Sequence, residues 1–187
     1  RAKYFSPTWN GDPGTFGPSV FDILCSYDDA TDTWFAAAAI LGVDDRTGDL
    51  NGYSGILLGV NRGSPLDNWS IYSINTTNDG SDGTPDHHCS GGPCFGDYPQ
   101  MGIDANGLYL TTNEFALFGS GFYGAQLYAI RKSDLVARKN TPATVYLDNV
   151  PSPATGITFA LQPANAQGSQ RRANTMFFGM SHAPYTD

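Results

Sequence analysis

The octet HHCSGGPC at 87 to 94 puts two imidazoles and two thiols side by side. Two chemistries fit that set. Cys89 and Cys94 flank only four residues, a spacing that closes a loop disulfide in an exported protein. Alternatively His87, His88 and the two cysteines could hold zinc. Adjacent histidines point apart on extended backbone, so joint ligation needs a turn, and a surface His pair is the plainer reading. Just upstream, NDGSDGTPD gathers Asn78, Asp79, Ser81, Asp82 and Asp86, oxygen donors of the kind Ca²⁺ takes in sets of roughly six to eight. The EF-hand pattern is not met, and an acidic solvated loop competes with a calcium site. Glu114 is the sole Glu in the chain, a candidate for acid–base work or, more plainly, a strand-end residue bonded to nearby backbone. No nucleophile paired with its base and no phosphate loop can be assembled from spacing.

Other residues point to recognition. The Gly-rich stretch FALFGSGFYG carries Phe118, Phe122 and Tyr123, whose rings could stack on a sugar or contact a protein; packing inside the fold is the competing use. Asn68-Trp69-Ser70 and Asn75-Thr76-Thr77 are N-glycosylation sequons, which fits export. A net charge of −8, with basic residues scattered or paired, leaves no stripe to neutralise phosphates, so nucleic acid is not an expected partner. The longest apolar run, WFAAAAILGV, is too short for a bilayer helix, and no cleavable signal is visible at the start. Cys25, within VFDILCSY, reads as a buried free thiol.

The elements that must position these residues are strands. With 22 Gly, 12 Pro and an aromatic content of 13%, the chain alternates short apolar runs with turn chemistry and shows almost no helical period. VFDILCSYD, TWFAAAAIL, SGILLGVNR and NWSIYSIN form a first set of four, spanning 20–76. A long loop, 77–97, follows, and loops of that length are usually functional. YPQMGID, GLYLTTNEF, AQLYAIRKS and ATVYLDNV make a second set over 98–150, with DLVARKN as a short link. GITFALQP and TMFFGMSH begin a third, 156–182. In both complete sets the first strand ends in an Asp, Asp28 or Asp104, before a polar turn that its carboxylate can brace. Repeated units of four antiparallel strands predict an all-β fold of β-propeller blades, two full and part of a third, within a longer parent.

The segment CFGDYPQMGIDANGLYLTTNEF, followed by GAQLYAIRKSDL, resembles a family of uncharacterised exported bacterial proteins. The shared run covers Asp97, Pro99, Gly102, Asp104, Ala105, Asn106, Gly107, Tyr109, Thr111, Asn113, Glu114 and Phe115, then Gly124, Ala125, Gln126, Tyr128, Ala129, Lys132 and Leu135. The resemblance implies a propeller-like fold and secretion, and no activity. A more distant likeness is to sialidase-type propellers, whose Asp boxes read S-x-D-x-G-x-T-W. Here Ser26, Asp28 and Trp34 stand in such a run, with Ala30 where Gly is expected and one extra residue before the Trp. The expectation is a secreted or cell-surface propeller that recognises a glycan or protein, or assembles with itself, without catalysis. The rival is an extracellular glycoside hydrolase of sialidase-like type, for which the arginines show no spacing that suggests a triad.

Overall fold

The computed structural model describes residues 16–148, 150–152, 156–166 and 175–182. They form an all-β protein built on two four-stranded antiparallel sheets and a smaller third sheet. The first sheet runs β1 (Ser19–Asp28), β2 (Thr33–Val43), β3 (Leu50–Arg62) and β4 (Ser70–Asn75), each strand beside its sequence neighbour. The second repeats that order with β5 (Cys94–Ile103), β6 (Gly107–Ala116), β7 (Phe122–Arg131) and β8 (Thr144–Leu147). The third pairs β10 (Gly156–Pro163) with β11 (Phe178–His182) and adds the two-residue β9 (Pro151–Ser152). Each of the ten strand runs read from the sequence falls on one of these strands; the two-residue β9 is not among them. A short helix, α1 (Lys132–Val136), spans the end of the run AQLYAIRKS and the start of the link DLVARKN, which a five-residue segment without helical periodicity does not announce.

The sheets stack face to face. Phe35, Ala37, Ile56, Leu58 and Val60 of the first meet Met101, Ile103, Leu108, Leu110, Tyr128 and Ile130 of the second, and Leu135 of α1 seals one end. On the other side of the second sheet, Ala125 and Leu127 meet Leu161 of β10. The second sheet is therefore covered on both faces, and its central strands β6 and β7 are buried along most of their length, polar residues included. Its fit against the third sheet is tight: a Cβ on Gly102 would come within 2.5 Å of Pro163 Cβ and 2.6 Å of the Ala164 carbonyl oxygen.

The two aspartates that end β1 and β5 do more than brace their turns. Asp104 Oδ1 accepts the N–H groups of Asn106 and Gly107, both at 2.7 Å, and Oδ2 accepts the Tyr109 hydroxyl at 3.1 Å. That phenol is pushed up to about 12, by burial first and then by the Asp104 charge. Asp28 Oδ2 accepts the Thr31 hydroxyl at 2.6 Å and lies 3.0 Å from Lys132 Nζ; the two side chains of this ion pair are 0% and 4% exposed. Lys132 also donates to the Asp104 carbonyl. One ammonium, carried just past β7, thus joins the β1–β2 turn to the β5–β6 turn across the sheet interface. Cys25 corrects an expectation: it is an exposed free thiol. It lies on β1, an edge strand whose residues are mostly exposed or half-exposed, so an apolar neighbourhood in sequence did not translate into burial.

Candidate functional site

Antiparallel alternation sends the β2–β3 connection, the 76–93 loop and the β6–β7 insertion out of the sheets at one end. Three fastenings hold the long loop there. Cys89 and Cys94 are joined, with Cα atoms 5.3 Å apart. The Tyr123 hydroxyl accepts the Ser90 N–H at 2.9 Å and donates to Ser90 Oγ at 2.8 Å. Leu117 N–H donates to the Pro93 carbonyl at 2.9 Å, so the insertion and the cysteine loop share backbone bonding. Gly119 makes this approach possible, since a Cβ there would sit 2.3 Å from the Ser90 carbonyl oxygen.

The loop's local path follows from its residue types. Asn78, Asp82 and His88 have φ of 47°, 51° and 55°, left-handed values that Asn, Asp and His tolerate better than other side chains. Asp79 Oδ1 accepts both the N–H and the hydroxyl of Ser81, and Asp79 bridges to Asp86 across the tip. Asp86 is engaged by His88, through its N–H at 2.8 Å and its Nδ1 at 3.0 Å. Of the expected oxygen donors, Asp79, Ser81 and Asp86 are thus engaged within the loop's own turns, and Asn78 turns inward. Among the described residues no three His, Cys, Asp or Glu side chains group as metal ligands.

Beneath the loop lies a buried polar network. Asn78 Nδ2 donates to Glu114 Oε2 at 2.7 Å and to the Tyr128 hydroxyl at 3.1 Å, while Thr112 Oγ1 donates to Glu114 Oε1 at 2.5 Å. Glu114 and Asn78 are both 0% exposed. Burial pushes the Glu114 carboxyl above its ordinary range, against the opposing effect of the Asn78 and Thr112 hydrogen bonds. Glu114 is therefore bonded to side chains, Asn78 of the long loop and Thr112 two residues back on its own strand, where the sequence suggested backbone partners. His87 also departs from the expected surface pair: it is buried, with Nε2 2.9 Å from Gln126 Oε1 and Nδ1 3.2 Å from the Tyr123 carbonyl, whereas His88 is exposed.

The three aromatic candidates separate. Phe118 is 53% exposed beside the cysteine loop, and its ring lies 3.9 Å from where a Cβ on Gly52 would sit, so it spans toward the first sheet. Tyr123 is the loop's fastening. Phe122 packs between sheets, its ring 5.4 Å from Phe115 and 5.2 Å from Phe159 of β10. Of the sequons, Asn68 is exposed in the β3–β4 connection, while Asn75 is paired in β4 and Thr77 beside it is buried. Sequence reasoning missed Lys132, Asn78 as an inward-facing ligand of Glu114, and Gln126. All three, or their partners, lie in the quoted run or the long loop, but no spacing rule links them. No helix among the described residues is long and apolar enough to cross a membrane. No family model, curated protein or solved structure matches this chain.

Proposed function

We propose that the chain is part of a secreted or cell-surface β-propeller whose loop end recognises a glycan or protein surface without catalysing a reaction. The observation that carries this reading is Phe118, a half-exposed aromatic ring on a platform held by the Cys89–Cys94 disulfide, the Ser90–Tyr123 bonds and the Leu117–Pro93 backbone bond. A ring already fixed in place loses little conformational freedom on binding, which favours contact with a partner. The consecutive stacking of sheets, each with its neighbour strands in sequence order, supports the propeller part of the reading. Glu114 supports the non-catalytic part. Its carboxyl has no solvent exposure and its two oxygens are bonded to Asn78 and Thr112, so a glycosidic oxygen cannot reach it without unfolding the loop.

The test is a glycan array and an extracellular-protein pull-down with the 187-residue chain and its Phe118→Ala variant. The reading expects a bound glycan or protein class that the variant loses while melting as the parent does. Turnover of a sialoside or other glycoside, abolished by Glu114→Gln with no change in melting, would replace it with the hydrolase reading.

A further inference from the structure

His87 sits where the long loop meets the second sheet, 5% exposed, and each of its ring nitrogens faces an oxygen. Nδ1 lies 3.2 Å from the Tyr123 carbonyl, which can only accept, and Nε2 lies 2.9 Å from Gln126 Oε1. The orientation of the Gln126 amide is set by its other end, because its Nε2 donates to the Leu127 carbonyl at 3.0 Å. Turning it over would set two oxygens against each other, so Oε1 is the atom left for His87. A neutral imidazole has one N–H and would satisfy one acceptor while presenting a lone pair to the other. Only the imidazolium bonds both.

The surroundings of the ring can hold that charge. Both thiols of the octet are spent on the disulfide, and among the described residues no three His, Cys, Asp or Glu side chains group as metal ligands, so the two nitrogens are committed to Tyr123 and Gln126. Burial works against a cation here. Opposing it are two charge-assisted hydrogen bonds, each roughly twice as strong as its neutral counterpart, and the Glu114 carboxyl on β6. Glu114 feels His87, which draws its carboxyl down, and Asp97 of β5, which acts in the other direction together with burial. Tyr128 on β7 feels Glu114, and Asp97 feels Asp22 of β1. Tyr123 keeps its hydroxyl on Ser90. In the loop itself Asp79, Asp82, Asp86 and His88 are exposed, and Asp86 pairs with His88.

We infer that His87 is a proton-operated fastening of the long loop: the imidazolium bonds the loop to two points of β7, and loss of its proton releases one of them. The sign follows from the donor count. Fastening is complete at low pH, where the ring carries two N–H groups, and weakens as pH rises through the His87 titration. The same deprotonation takes a cation away from Glu114, so an ionised Glu114 is then left buried with the neutral donors Asn78 and Thr112. The effect reaches the loop tip because the two inward-facing residues close it together: His87 N–H donates to the Asn78 carbonyl at 3.4 Å, and Gly80 N–H donates to the Pro85 carbonyl at 3.1 Å just beyond. This inference does not rest on the recognition reading, and its readouts are separate from binding.

The experiment is nitrogen NMR of the imidazole rings, with amide hydrogen exchange, on the 187-residue chain from about pH 5.5 to about pH 8.5, a range that brackets the ordinary imidazole value of about 6.5. The exposed His88 serves as the internal reference. The expected result is a His87 ring with both nitrogens protonated at the acid end and one at the alkaline end. Across the same range the protection of the Gly80, His87 and Ser90 amides, corrected for the intrinsic effect of pH on exchange, should fall at least about tenfold, the effect of one lost charge-assisted hydrogen bond, while β3 amides hold. His87→Gln keeps a donor but cannot titrate, and should lose this pH dependence; Glu114→Gln should keep it, because both acceptors remain. Thermal melting confirms that the variants fold, and should His87→Gln fail to fold, the ring signals and exchange profile of the parent decide. A bare His87 nitrogen at the acid end, loop protection that does not change with pH, or a pH dependence that survives in a folded His87→Gln overturns the proposal.

Discussion

Replacing Lys132 by Ala tests whether the two large sheets are locked by charge as well as by apolar packing. The ammonium lies 3.0 Å from Asp28 Oδ2 in a pair whose exposures are 4% and 0%, and it donates to the Asp104 carbonyl as well. Truncation leaves the Asp28 carboxylate buried with the Thr31 hydroxyl but without this cation. Breaking a buried pair from one side costs about 3–5 kcal/mol. The lost bond to Asp104 overlaps with that figure and is not added to it. In a domain of this size each kcal/mol moves the melting temperature by roughly 2–4 °C, so Lys132→Ala should melt roughly 6–20 °C lower. Asp28→Asn with Lys132→Met removes both charges and keeps the volume, and should recover most of the loss because the desolvation cost disappears with them. Urea unfolding and differential scanning calorimetry on the three proteins measure this directly. A Lys132→Ala variant within about 0.5 kcal/mol of the parent, or a double variant no better than the single one, would refute the idea that losing the Lys132 charge beside buried Asp28 is the source of the penalty.

Three further outcomes follow from the site. Glu114 is held above its ordinary value near 4.5 by burial, so its contribution is fully present below that pH and is lost as pH rises through its folded value. Glu114→Gln should therefore flatten the stability profile on the alkaline side of pH 4.5, as read by urea titration at several pH values, whereas Glu114→Ala removes the acceptor of the Thr112 hydroxyl and of one Asn78 N–H, leaving Asn78 its bond to Tyr128, at about 1–3 kcal/mol. Replacing Cys89 and Cys94 by Ser opens a small loop and should cost about 2 kcal/mol in the chain-entropy picture; hydrogen exchange should quicken at Ser90 and Leu117 more than in β2 or β3. Gly102→Ala forces a Cβ against Pro163 and the Ala164 carbonyl and should cost about 1–3 kcal/mol, with exchange increasing first in β10, and unchanged β10 protection would contradict the described packing.

Strands, hairpins and the disulfide were legible in the sequence because each is decided by residues close together in the chain. The runs VFDILCSYD and GITFALQP needed only local period and turn residues, and Cys89 and Cys94 are five positions apart. The turn role of Asp104 is equally local, since its carboxylate bonds residues two and three positions on. The network under the loop was not legible. Asn78 and Glu114 are 36 residues apart, His87 and Gln126 are 39 apart, and Lys132 meets Asp28 from the other sheet. A polar side chain in sequence looks like a surface group, and only the stacking of sheets removes water from it and obliges it to find a partner. The same physics misplaced Cys25: apolar neighbours predict burial only when a second layer covers their strand, and that depends on which sheet edge the strand occupies. Local propensity and turn chemistry therefore determined the elements, while the desolvation imposed by sheet-on-sheet packing decided which polar residues became a lock, a buried network or an exposed edge.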